Sequence, residues 1–78
     1  MSYAQQVAVT KSDSLDIRPG FVSSELWIGT AGDGTMRVTA ETGEVVNYVS
    51  IPAGRLPIRV RRVHSTGSGV SNVVAWAP

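Results

Sequence analysis

Cysteine is absent, so no disulfide can staple the chain and no thiolate metal site can form. Histidine occurs once, at His64, which leaves little material for imidazole chemistry. No apolar run approaches the ~18 residues that a membrane helix needs. The opening MSYAQQVAVT has neither a charged start nor a long apolar stretch, so it does not read as a secretory signal, and synthesis in the cytoplasm is expected. Charge of one sign is also missing. Seven Lys and Arg against six Asp and Glu leave +1, too small an excess for a dedicated nucleic-acid binder. Neither nucleic acid nor a membrane is an expected partner.

What is present is a chain of 78 residues with 42% apolar content. We expect one domain over residues 1–78, with 1–5 as a loose polar end. A domain this short buries only about 60% of its unfolded surface, so its core is thin. Small domains without staples lean on partners or on copies of themselves, and a homo-oligomer is expected on that ground.

Short β-branched runs dominate: SELWIGT, TMRVTA, EVVNYVSI, LPIRVRRV and GVSNVVAW. The joints between them are AGDG, ETG, PAG and TGSG. This spacing predicts an all-β fold, a small antiparallel sandwich or barrel of about six strands. A first short strand is expected over 6–10, with Val7 and Val9 on one face. The stretch 11–20, rich in Ser and Asp and ending in Pro19-Gly20, is the longest break and should cross between edges of the fold. Leu26 and Ile28 share a face, with Trp27 opposite. Met36, Val38 and Ala40 share another, with Arg37 and Thr39 opposite. Val45, Val49 and Ile51 are placed together, against Val46 and Tyr48. Leu56, Ile58 and Val60 alternate correctly, but the next apolar residue is Val63 rather than position 62. An extra residue at Arg61-Arg62 would restore the phase, so a bulge or strand end is predicted there. Pro57 cannot donate a ladder bond and marks an edge or a strand entry.

None of the chemical motifs carries a reaction. Gly29, Gly32 and Gly34 lack the spacing of a dinucleotide loop and no lysine follows them, so they read as a hairpin loop with positive φ. His64 could join a serine and Asp33 by counting alone, but no GxSxG elbow exists, and a surface strand position is expected. Asp13 and Asp16 lack calcium-loop spacing and read as turn formers. No catalytic residue, metal or cofactor is expected. The candidate contact residues are Trp27, Arg59, Arg61, Arg62 and Trp76, because large aromatics and arginines anchor interfaces. Arg59 and Arg61 are placed on one face, within reach of Glu41, Glu44 or Glu25. No aromatic interleaves with the arginines, which disfavours base stacking. Trp27 with Glu25 is the one feature suggesting a glycan platform.

Taken in order, VAVTKSDSLDI, ELWIGTAGDGTMRVTA, VSIPAGRLPIRVRRV and STGSGVSNVVAW cover Val7 to Trp76. This series resembles the head spike base proteins of gene transfer agents and related tailed phages. The segment GDGTMRV is about two residues longer than the family's usual GDLRV, and AGRLPIRV is one shorter than AGTLLPIRV; both changes fall in or beside turns. The resemblance implies a non-enzymatic virion protein on the outer capsid surface. It implies a homopentamer at the vertices, in contact with the major capsid protein and serving as the foot of a spike or fibre. The alternatives are a cement protein that bridges capsomers without a fibre, and a glycan-binding surface module.

Overall fold

A computed structural model describes residues 4–78. Seven strands follow one another: β1 (Gln5–Ala8), β2 (Glu25–Thr30), β3 (Met36–Ala40), β4 (Val45–Tyr48), β5 (Gly54–Leu56), β6 (Val60–Val63) and β7 (Ser71–Ala77). They form two antiparallel sheets, one ordered β1-β7-β2-β5 and the other β4-β3-β6. The all-β expectation holds, as a sandwich with seven strands rather than about six. Of the residues 1–5 expected as a loose end, Gln5 instead opens β1, and residues 1–3 lie outside the described residues.

Strand alternation builds the core. Leu26 and Ile28 from β2, Val73 and Ala75 from β7, and Val7 from β1 project inward from the four-stranded sheet. Met36 and Val38 from β3 and Val60 and Val63 from β6 meet them from the other. Period-two burial of this kind is what a sheet with one solvated face requires.

The extra strand arises where one apolar run serves both sheets. LPIRVRRV does not make a single strand. Its first residue closes β5, residues 57–59 cross over, and β6 begins at Val60 in the other sheet. Pro57 stands at that crossing, just past the edge strand β5, as its missing donor demands. Ser23 clamps the crossing: its Oγ donates to the Ile58 carbonyl at 2.9 Å and accepts from the Val60 amide at 3.0 Å. The predicted bulge is present. Thr39 pairs with Arg62 and Ala40 with Val60, so Arg61 is the unpaired extra residue.

Two further expectations are corrected. The Ala31–Gly34 turn is not a hairpin, since β2 and β3 lie in different sheets. Gly32 and Gly34 do take positive φ, at 59° and 78°, and a Cβ on Gly32 would strike the Gly69 carbonyl as the loop passes the β6–β7 connection. Val45 and Val49 do not share the buried face of Ile51. They are 53% and 74% exposed, while Val46 and Tyr48 face the core. Ser50, at φ 58°, resets the phase before Ile51.

The 11–20 stretch crosses as expected and lines the outer edge of β6. The Ser12 amide donates to the Val63 carbonyl at 2.9 Å and the Ile17 amide to the Arg61 carbonyl at 2.8 Å. Lys11 Nζ ties the strap to the Val70 carbonyl at 2.8 Å.

Candidate functional site

Successive residues of a strand point to opposite faces, so the residues that leave Leu26 and Ala75 in the core turn Trp27 and Trp76 outward. The register sets Trp27 opposite Val74 and Trp76 opposite Glu25 on adjacent strands, and the two indoles meet diagonally. Their centroids are 6.1 Å apart with planes 28° from parallel, a stacked pair. Trp27 remains 41% exposed. Trp76 is half-buried and sits in β7, a central strand paired on both sides.

Beside the indoles, Arg55 clasps Glu25. Its Nη2 donates to both carboxylate oxygens, at 3.1 and 2.9 Å, and its Nε to one of them at 3.3 Å. The fork covers a carboxylate that is almost wholly buried and gives both its oxygens a hydrogen-bond donor. The face therefore combines an aromatic pair, a fixed ion pair and the exposed Gln6 and Ala8 of β1. Arg55 was missed as a candidate because it precedes the alternating run; its register opposite Trp27 makes it a neighbour.

The other arginines do not join this face. Arg59 lies in the crossing before β6 and pairs with Glu41 at 2.9 Å. That hydrogen bond, and the charge behind it, lower the Glu41 pKa and raise that of Arg59. Arg62 pairs with Asp16 of the strap at 2.9 Å. Arg61, the bulge residue, has a buried Nε with no hydrogen-bond partner. Of the five candidate contact residues, the structure brings together Trp27 and Trp76 and assigns Arg59 and Arg62 to ion pairs within the chain.

His64 is not a surface strand residue. It follows β6, and its side chain is only 12% exposed. Nε2 lies 2.8 Å from Thr39 Oγ1 and Nδ1 lies 3.8 Å from Asp13 Oδ1. This line has the order of a nucleophile, base and orienter, but Thr39 is 4% exposed, which keeps its hydroxyl from a substrate. Asp13 is committed elsewhere: it accepts from the Thr66 amide at 2.9 Å and the Thr66 hydroxyl at 2.7 Å, and those bonds lower its pKa. The group is a brace between strap and sheet. Among the described residues, no cluster of three or more His, Cys, Asp or Glu could hold a metal ion.

No family model and no curated protein matches the chain. Among solved structures it is similar to a chain from the capsid of a native gene transfer agent (GTA) particle computed with C5 symmetry. The two are 31% identical with a TM-score of 0.77, over 96% of this chain and 83% of that one. The chain belongs to the family of that GTA capsid protein. The match covers 96% of the chain, and with it both sheets.

Proposed function

We propose that this chain is a non-enzymatic structural protein of a virion or GTA-like particle, forming a homopentameric base on the outer surface of the capsid vertices. The observation that carries this reading is near-complete coverage, at 31% identity, of a chain from a C5-symmetric GTA capsid. The hydroxyl that His64 contacts, that of Thr39, is buried, which is consistent with a role in attachment. The ring stands on the major capsid protein and carries a spike or fibre. Trp27 and Trp76 make the attachment to the shell, since a rigid aromatic pair supplies large contact area at little entropic cost.

The test is retention on purified heads. Heads prepared without this protein should bind the added chain until each vertex holds five copies, matching the C5 symmetry of the relative. Saturation at many copies spread over the capsid faces would instead support a cement protein. Retention on glycans but not on heads would support the sugar-binding alternative.

A further inference from the structure

The four sheet edges are unequal in how they are protected. The outer edge of β6 is covered by backbone bonds from Ser12 and Ile17. β5 is only three residues long and runs into Pro57. β4 and β1 have no such device. Each is an edge strand of four residues, VVNY and QQVA, with no charge, proline or bulge of the kinds that normally blunt an edge.

We propose that β4 of one copy pairs antiparallel with β1 of the next, and that this bond closes the ring. The inference rests on the oligomeric reading above and names the surface that makes it. The strap leads from β1 to the outer edge of β6, so those two edges share a flank. Residues 49–53 join β4 to β5 at the other. The free edges thus lie on opposite flanks, one from each sheet, which is the head-to-tail arrangement a cyclic ring needs.

The hydrogen-bond phase fits as well. The Ala40 amide donates to the Glu44 carbonyl, so alternation along the ladder turns Val46 and Tyr48 toward β3 and leaves Val45 and Asn47 with outward N–H and C=O groups. In the same way the Val9 amide donates to Val73, which leaves Gln6 and Ala8 outward on β1. Setting Val45 opposite Ala8 and Asn47 opposite Gln6 gives two exchanging pairs, about four ladder bonds. That register also places Val46 opposite Val7, each facing its own core, and keeps the solvent-side residues on one side.

The experiment uses the full chain. Asn47→Pro and Ala8→Pro each remove an outward N–H without touching a backbone bond to the strand's own neighbour; Asn47→Pro also loses the bond from Arg37 Nε to the Asn47 side chain, a loss that Asn47→Ala shares and so controls for. Native mass spectrometry should show wild type and Asn47→Ala at the mass of five 8.3 kDa chains and each proline variant as a monomer. Mixed together, the two proline variants should form a one-to-one dimer and nothing larger, because each retains the edge the other lacks; that dimer also proves both are folded. Hydrogen exchange on the assembled wild type should protect the amides of Gln6, Ala8, Val45 and Asn47 at least tenfold over a dilute monomer. Five-chain rings from either proline variant, or unprotected edge amides in a wild-type ring, would overturn the edge pairing and leave the ring standing. A wild type that stays monomeric at every concentration would overturn both.

Discussion

Ser23 offers the sharpest energetic test of how the two sheets are joined. Its side chain is fully buried and bridges the Ile58 carbonyl and the Val60 amide at the point where the chain leaves one sheet for the other. Ser23→Ala removes a single oxygen and leaves both groups without that partner. A buried donor stripped of its acceptor costs about 1–3 kcal/mol. The Ile58 carbonyl is only partly buried and can turn to water, so the two losses together come to about 2 kcal/mol. A chain of this size has roughly 4–12 kcal/mol of total stability, so the change removes a sizeable share. For domains of about 60–100 residues, each kcal/mol moves Tm by about 4–8 °C, and a fall of about 8–16 °C is expected. Thermal and urea melts followed by circular dichroism, at one fixed protein concentration, would measure it. Ser24→Ala is the control and should stay within about 0.5 kcal/mol of wild type. A Ser23→Ala protein that melts within about 2 °C of wild type would refute the clamp.

Trp27→Ala should lower intrinsic stability, by about 0.5–1.5 kcal/mol through the lost stack and further through lost buried area, but leave the chain folded and abolish retention on purified heads; equal retention would remove Trp27 from the contact. Gly32→Ala should lower Tm well below that of Gly20→Ala, because both positions have positive φ but only at Gly32 does a Cβ strike backbone; equal melts would contradict the loop geometry. Acid should destabilise the fold. Asp13, Asp33 and Glu41 have pKa values held below their ordinary ones, chiefly by the side chains of Thr66, Thr35 and Arg59. Their contribution is therefore full above the ordinary carboxylate range, near pH 4, and fades as pH falls through the lowered values. Glu41→Gln should flatten that acid limb of a Tm–pH curve, and an unchanged limb would argue against the Arg59 pairing.

Local alternation made much of the fold legible. Leu26 and Ile28 inside with Trp27 outside follows from period two alone, and the phase slip at Arg61-Arg62 pointed to the bulge before any partner strand was known. Other features hid for physical reasons. Leu56, Ile58 and Val60 keep an unbroken alternation although the chain changes sheets between them, because both sheets face one core. Gly32 and Gly34 would look alike in a hairpin and in a crossing, since positive φ serves either turn. Val45 and Val49 were misplaced because one residue, Ser50, reverses the phase through a left-handed backbone that serine rarely adopts. The burial of His64 depends on Asp13 and Thr39, which no local pattern links to it. The candidate site was half legible: the outward indole of Trp27 could be read from β2, but its stacking on Trp76 depends on β7 pairing beside β2, forty-odd residues later in the chain.

Localised reconstruction of a vertex, from particles containing this chain, decides whether the proposed fivefold base exists. Five copies of the two-sheet fold are expected around each fivefold axis on the outer shell, with the Trp27–Trp76 face against the capsid protein. Density for this fold at threefold or twofold positions across the capsid faces, with bare vertices, would contradict it.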